Sequence, residues 1–257
     1  MSGVAVRPVR FTDRIEAMQE FLETLGLRPR IEAERGGWVD MVAYGGMVAL
    51  HSAETAVSGA VAGQTCLSFE AADVVGLADR LRKAGVPDVT VYDEAYGQVL
   101  NCRDPLGDVI AVDGRSDDLY GYRRHDAAAA ATDLRVVPVR FTEPTGPYGG
   151  WLEAMGLTLV GEPNDFYVQY AAADGDHGFV GVHHVYDDEL PIVAGRAAAH
   201  LTFATSEPLE AIAERLAAAG HGDASVDRED FGCLLTVIDP DDQEVQVHEL
   251  PAGAAVS

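Results

Sequence analysis

The sequence predicts an α+β protein made of two tandem modules, each consisting of a pair of β-α-β-β-β units. Three observations lead to this prediction: an internal repeat, short runs in which apolar and polar residues alternate, and helical patterns between those runs. The length of 257 residues fits two small domains better than one. With 47% hydrophobic and 23% charged residues, the chain has an ordinary globular composition and can bury a real core.

The internal repeat divides the chain into two copies of one module. Matching segments keep their order, and the shift between copies drifts only from 130 to 135 residues, so chance is a poor explanation. We predict a first module at 1–116, a linker at 117–133 that includes an alanine run, and a second module at 134–257. The matching pairs are 7–12 with 137–142, 25–27 with 155–157, 84–85 with 219–220, 96–97 with 231–232, and 104–105 with 239–240.

The first unit is predicted to be a strand, a helix and three strands. After the β-rich run at 4–11, Thr12 and Asp13 are good N-cap residues for a helix. The Leu-Gly pair at 25–26 ends that helix, because glycine is favoured just past a helix C-terminus. Three strand-like runs separated by glycine pairs then follow, at 27–34, 38–44 and 47–52.

The second unit repeats this order. A strand at 65–70 precedes a helix at 73–84, which Gly85 and Pro87 close, and strands follow at 89–93, 98–103 and 108–113. The second module would repeat both units. In its first unit, prolines and glycines crowd the start of the helix, so we expect a short helix from about Tyr148 to Met155.

Alternation along the strands gives each sheet an apolar face and a mixed polar face. In the strand at 65–70, for example, Leu67 and Phe69 would pack on a helix. A sheet covered by helices on one side, with a partly wet cleft on the other, has this pattern. The residues placed on the cleft face in this way are Cys66, Ser68, Glu70, Ala111, Asp113, His200, Thr202, Ala204, Glu244, Gln246 and His248 and, on the first strands, Pro8, Arg10, Pro138 and Arg140.

The paired units, together with Ser-Phe-Glu at 68–70 and Asp-Pro-Leu-Gly at 104–107, resemble the vicinal oxygen chelate superfamily. This group contains glyoxalase I, bleomycin-resistance proteins and extradiol dioxygenases. The resemblance covers nearly the whole chain outside the linker, although Asp-Pro-Asp-Asp at 239–242 lacks the usual glycine. It implies that each pair of units curls its strands into a U-shaped sheet around a ligand cleft, with the helices outside.

The resemblance also provides a test for a metal. Metal-using members hold a divalent ion with His, Gln or Glu from the cleft faces of these strands, and a catalytic site needs at least three protein ligands. Neither module supplies three at the expected positions, so we expect no metal cofactor. Those positions fall on Val6 or Arg7, Ala49, Cys66 and Ala111 in the first module, and on Val136 or Val137, Gly181, His200 and Gln246 in the second.

An alternative is a divalent metal bound at a shifted position in the second module, by His183 (or His184), His200 and His248. His183 would then be the counterpart of His51 in the first copy. The other interpretation of these histidines is that they make hydrogen bonds in the cleft.

The main functional prediction is a metal-independent small-molecule-binding protein, like the bleomycin-resistance members, which would sequester a drug or natural product and confer antibiotic resistance. Such a cleft needs aromatic side chains and a few oriented polar groups. For single aromatic residues the alternative is core packing, and for the arginines it is an ion pair. No catalytic residue is assigned. The predicted cleft residues are Arg10, Trp38, His51, Cys66, Ser68, Tyr96, Arg140, Phe166, Tyr170, His183, His200, Thr202, Gln246 and His248.

Charge excludes some classes of function. A net charge of −24 argues against nucleic acid and anionic membranes as partners, because both need a basic face. No apolar run is long enough to span a bilayer, and the first residues lack the apolar core of a signal peptide. Three cysteines, an odd and sparse set, indicate neither a disulfide framework nor a zinc finger. We therefore expect a cytoplasmic protein.

Two rival functions stay open. One is a metal-dependent lyase, isomerase or dioxygenase with a non-standard site in the second module. The other is protein–protein association through a degenerate module, since residues 134–257 carry 5 basic and 21 acidic side chains and could meet a basic partner. We expect a monomer or homodimer.

Overall fold

The computed structural model describes residues 3–94, 96–115, 120–125, 132–185, 190–229 and 232–250. Within these residues twenty strands and four α-helices follow the β-α-β-β-β order four times, with the first strand of three units split in two and one additional strand after the first module. The predicted α+β architecture of tandem modules is confirmed. The alanine run predicted in the linker lies outside the described residues.

The first module contains two helices, and its strands match the predicted runs closely. The helices are α1 (Ile15–Leu25) and α2 (Val74–Lys83). The strands are β1 (Val4–Val6), β2 (Val9–Thr12), β3 (Arg28–Ala33), β4 (Trp38–Val42), β5 (Met47–Ser52), β6 (Thr65–Cys66), β7 (Ser68–Ala71), β8 (Thr90–Glu94), β9 (Gly97–Arg103), β10 (Val109–Gly114) and, within the predicted linker, β11 (Tyr122–Arg124).

The second module repeats the pattern. Its helices are α3 (Pro147–Met155) and α4 (Leu209–Ala218). Its strands are β12 (Arg135–Val136), β13 (Val139–Phe141), β14 (Thr158–Val160), β15 (Tyr167–Ala171), β16 (Phe179–His183), β17 (Thr202–Thr205), β18 (Ser225–Glu229), β19 (Gly232–Ile238) and β20 (Glu244–Glu249).

Local chemistry explains where the helices begin. Asp73 caps α2 by accepting a hydrogen bond from the Gly76 N–H. The expected cap on α1 is wrong: Thr12 accepts from the Arg14 N–H before the helix starts, and α1 begins without a side-chain cap. The short α3 appears as predicted and starts at Pro147, where the missing proline N–H costs nothing.

Each module closes its own sheet. In the first module β2, β5, β4 and β3 form one half and β7, β10, β9 and β8 the other, and β1 joins the halves by pairing with β7. In the second module β12 joins the two halves in the same way by pairing with β17. The additional strand β11 returns to the first module and pairs with β3. The named strands of each module therefore pair with one another, while isolated backbone bridges, Gly45 with Arg135 and Cys66 with Ala198, connect the two modules.

The hydrophobic cores, by contrast, are shared between the modules. One cluster combines α2 of the first module with α3 of the second, and includes the buried Trp151 and Cys102. The other cluster combines α1 with α4. The helix-facing residues of the strands, such as Phe69 and Phe203, point into these clusters. The opposite faces of the sheets are not covered by helices and are therefore the candidate location of a binding site. None of the helices in the described part of the chain is long and apolar enough to cross a membrane.

Candidate functional site: two cups

Strand registers identify the residues on the helix-free face of each module. We call this face the first cup in the first module and the second cup in the second module. The register confirms that His183 is the counterpart of His51, since they pair with Phe141 and Phe11 respectively. Residues that are neighbours on adjacent strands form rows across each cup. In the first cup, one row is Val9, Ala49 and Asp40, and the other is Ala5, Glu70 and Asp113. In the second cup, the equivalent rows are Val139, Gly181 and Gln169, and Arg135, Ala204 and His248.

The first cup is crossed by a network of buried charges. Arg7 forms ion pairs with Asp40, at 3.3 Å, and with Asp113. Arg30 joins Asp40 at 2.6 Å to Glu70 at 2.5 Å. Burial opposes ionisation of Glu70, but the hydrogen bond and charge of Arg30 outweigh it and lower the pKa of the carboxyl. The network thus pairs these charges with one another inside the protein.

An aromatic wall flanks this network. Trp38 meets His51 edge-on at 5.5 Å, and Phe11 lies 5.4 Å from the same imidazole. The Arg7 guanidinium lies 5.5 Å from the centre of the Trp38 ring. Tyr96 sits at the hairpin between β8 and β9, and burial together with the charge of Asp113 raises the pKa of its hydroxyl. Trp38, His51 and the buried Ser68 therefore line the first cup, with Tyr96 at its edge.

The second cup carries uncharged polar groups at its centre. Thr202 pairs with Gln246, and both share a face with His248. Burial and the charge of His200 lower the pKa of His248 to about 4, so this imidazole is neutral near pH 7. His200 is 4% exposed, its Nε2 lies 3.0 Å from the Glu244 carbonyl, and burial lowers its pKa as well.

The wall and floor of the second cup are apolar. Tyr167 and Phe141 lie 6.1 and 5.8 Å from the His183 ring, repeating the aromatic arrangement of the first cup. The Tyr167 hydroxyl donates to Gln169 at 3.0 Å, and burial raises its pKa. Past the ends of β13 and β16 lies a surface depression of about 310 Å³. The floor is formed by Val137, Ala171, Phe179 and Ala204, with Leu250 against them.

Arg10 and Arg140 do not face a cup, so their predicted place in the cleft is wrong. Arg10 pairs in register with the core residue Leu50 and forms a buried ion pair with Asp239 of the other module. Arg140 forms the reciprocal pair with Asp104, at 2.8 Å. The apolar residues next to these arginines in sequence face the cups instead. Each arginine can lie on the core face of its strand because a carboxylate neutralises its charge. We call these two ion pairs the clasp.

Three other predicted cleft residues also lie elsewhere. Tyr170 is 6% exposed and belongs to the core cluster under α3. Phe166 precedes β15 and is 61% exposed. Cys66 lies at the junction of the modules, where its thiol donates to the Arg196 carbonyl, and burial raises its pKa to about 11. Such a thiol is a poor nucleophile and a poor metal ligand near pH 7.

The residues present do not fit the metal site that the family resemblance implies. Within the described residues, no three His, Cys, Asp or Glu side chains come together as metal ligands. His183 is placed on the aromatic wall and is not grouped with His200 and His248. Gln246 donates to the Glu244 carboxylate, at 2.7 Å.

Comparison with known proteins places the fold. No protein-family profile matches the chain, and no curated protein matches its sequence. Solved structures do match over almost its whole length. The chain shares its fold with solved 2,3-dioxygenases. The expected resemblance is thus confirmed, and identities of 11% to 14% make it a likeness of fold.

Three similar structures are extradiol-type dioxygenases. The 2,3-dioxygenase LapB from Pseudomonas sp. KL28 has a TM-score of 0.58 and 14% identity, covering 97% of this chain and 91% of that one. A catechol 2,3-dioxygenase has a TM-score of 0.60 and 11% identity, covering 97% and 87%. Homoprotocatechuate 2,3-dioxygenase from Arthrobacter globiformis has a TM-score of 0.57 and 13% identity, covering 97% and 80%.

Sequence reasoning missed most of the charged residues in the cups. Alternation placed Glu70 and Asp113 correctly on the cleft face, but it gave no sign that Arg7 and Arg30 reach them. The two arginines come from different strands, and only the closed sheet brings them together. Arg135 was also missed, because no counterpart arginine marks its position in the first copy, where Ala5 stands.

Proposed function

We propose that this chain is a metal-independent small-molecule-binding protein that holds its ligand in the second cup. The observation that carries the proposal is the difference between the cups at equivalent positions. Where the first cup has Asp40, Glu70 and Asp113 in ion pairs, the second cup has the uncharged side chains Gln169, Ala204 and His248. A cup without this charge network can admit a ligand with little loss of interactions within the protein.

The lining of the second cup favours a planar molecule that is largely apolar. Tyr167, Phe141 and His183 provide ring surfaces for stacking, and the apolar floor provides contact area. Gln246 and a neutral His248 can orient polar groups of the ligand, whereas the buried Thr202 hydroxyl already donates to the Val137 carbonyl. Drugs and natural products include many such molecules, so sequestration, and through it antibiotic resistance, is the role we propose. The three cysteines are free thiols, which suits the reducing cytoplasm.

A dioxygenase is the second candidate, and two observations favour it. The similar structures are dioxygenases. In addition, His200, just before β17, and Gln246, in β20, lie at two positions where the family resemblance implies metal ligands. A metal at this site would need a third protein ligand from the remaining cup residues. Elemental analysis of the purified protein separates the two candidates. Stoichiometric iron, manganese, nickel or zinc that is lost in His200→Ala would contradict metal-independent binding.

A thermal-shift screen of the full-length chain against drugs and natural products tests ligand binding. A ligand at about 100 times its Kd should stabilise the protein by about 2.7 kcal/mol, which corresponds to roughly 5–10 °C in Tm for a chain of this size. Tyr167→Leu should weaken the response by removing ring contact in the second cup. Trp38→Leu is the matched control, because Trp38 is the counterpart of Tyr167 in the first cup. No hit across a broad library, or a response lost only in Trp38→Leu, would contradict the proposal.

A further inference from the structure

Arg135 stands apart from the other buried arginines of the protein. It lies on β12 and is only 6% exposed. Arg7, Arg10 and Arg140 are equally buried, and each is paired with at least one carboxylate. Among the described residues, no carboxylate forms an ion pair with the Arg135 guanidinium. Its buried Nε makes no hydrogen bond, as is also the case for Arg7 and Arg10. Within the described part of the chain, the side chain is therefore a buried cation without a counter-ion.

The site around Arg135 is built to hold a guanidinium. The guanidinium carbon lies 5.3 Å from the centre of the Tyr44 ring and 5.9 Å from that of Phe179. A Cβ at Gly175 would lie 3.1 Å from Nη1, and one at Gly45 would lie 3.0 Å from the Arg135 Cγ, so two glycines make room for the side chain. Tyr44 and Gly45 belong to the first module, which thus completes a site in the second.

The nearest acidic residue in sequence is engaged elsewhere. Asp133 accepts hydrogen bonds from the Thr205 hydroxyl, at 2.5 Å, and from Ser206. Burial opposes ionisation of Asp133, but these hydrogen bonds, helped by the charge of Arg135, lower the pKa of its carboxyl. Asp133 thus contributes long-range attraction to Arg135, without a contact.

The row of the first cup that is equivalent to the row of Arg135 contains carboxylates. There the row runs Ala5, Glu70, Asp113, and the Glu70 carboxylate at its centre pairs with Arg30. In the second cup the row runs Arg135, Ala204, His248. Compared with the first cup, this row has Arg135 at the position of Ala5, and the methyl group of Ala204 at the position of the Glu70 carboxylate.

We propose that Arg135 anchors the carboxylate of an aromatic carboxylic acid bound in the second cup. This inference rests on the proposed function and names the ligand class for the same site. A guanidinium cannot lose its proton, and burying one without a counter-ion is costly, so an anion that pairs with it bidentately is strongly favoured. The apolar walls exclude strongly hydrated anions such as inorganic phosphate.

Calorimetric titration and thermal shift of the full-length chain test the inference, with benzoate and salicylate as probes. Benzamide serves as the neutral analogue and sodium chloride as the ionic-strength control. We expect both carboxylates to raise Tm, with salicylate stronger if its hydroxyl reaches His248, and benzamide to bind at least tenfold more weakly. Inorganic phosphate should give no more response than sodium chloride.

Three variants sharpen the test. Arg135→Met should weaken carboxylate binding at least tenfold, and without ligand it should melt no lower than the wild type, because an unpaired buried charge has been removed. Arg135→Lys should bind at an intermediate level, because it keeps the charge and loses the bidentate geometry. Arg115→Met, which removes an exposed positive charge from the first module, should bind like the wild type.

Two outcomes would overturn the inference. One is wild-type protein that does not distinguish the carboxylates from benzamide. The other is Arg135→Met that binds them within twofold of the wild type. If a neutral library compound still binds in a way that needs Tyr167, the proposed function stands while the Arg135 anchor fails. If no compound of any kind binds, both fail.

Discussion

The two cups occupy equivalent places in a duplicated scaffold and yet have opposite electrostatic character. The first cup is crossed by five charged side chains joined in ion pairs, although its module carries the smaller net charge. The described rows of the second cup hold uncharged side chains and an arginine without an ion pair, although residues 134–257 carry 21 acidic and only 5 basic side chains. The charge of a module therefore says little about the charge of its site, because acidic residues are placed mostly at the solvent-exposed surface.

The clasp shows the opposite behaviour, since both copies keep it. Arg10 with Asp239 and Arg140 with Asp104 are the same pair of repeat positions, each joined across the modules. Duplication has thus preserved the residues that hold the modules together while allowing the cups to diverge. The clasp arginines lie on the core faces of β2 and β13, whereas the residues that differ between the copies lie on the cup faces.

The largest expected effect concerns the first cup. Arg7→Met would leave Asp113 without its ion-pair partner and Asp40 with Arg30 alone, and should lower the free energy of unfolding by about 3–5 kcal/mol. Urea denaturation followed by circular dichroism measures this loss. Arg135→Met in the second cup is the matched variant and should lose nothing. Equal losses in the two variants would break the comparison between the cups.

The second cup should make stability depend on pH. The pKa of His248 is about 4 in the folded protein against an ordinary 6.5, so the folded state excludes a proton that the unfolded state binds. The stability contributed by neutral His248 is fully present above pH 6.5 and is lost as pH falls from 6.5 towards 4, by up to about 3 kcal/mol.

His248→Gln should remove this part of the acid destabilisation, leaving that of the carboxylates paired in the first cup. The comparison requires unfolding curves of both proteins at several pH values between 7 and 4. Parallel pH profiles for the wild type and His248→Gln would show that the imidazole titrates normally. The same substitution should also weaken the response to salicylate.

The smallest effect on stability is expected at Gly181, whose counterpart in the first cup is Ala49. A Cβ there would lie 2.7 Å from the Tyr167 hydroxyl, which must move into the cup. Gly181→Ala should therefore change stability by no more than about 1 kcal/mol, while reducing the Tm shift produced by ligand. Ala49→Ser is the matched substitution in the first cup, and it should leave that shift unchanged. A normal ligand response in Gly181→Ala would place the ligand away from Tyr167.

The sequence by itself determined the duplication, the order of the elements and the faces of most strands. These features are local or repetitive: a strand alternates with a period of two, and a second copy shows the same pattern. Ser68, Thr202, Gln246 and His248 were placed on the correct face for this reason. The tertiary structure alone decided which charges meet. Arg10 looked like a cleft residue because alternation cannot distinguish a polar cleft from a buried ion pair, and its partner Asp239 is 229 residues away. Likewise, only the tertiary structure shows that the Arg135 guanidinium lies beside the rings of Tyr44 and Phe179. Electrostatic pairing depends on distances in space, and a strand pattern does not encode those distances.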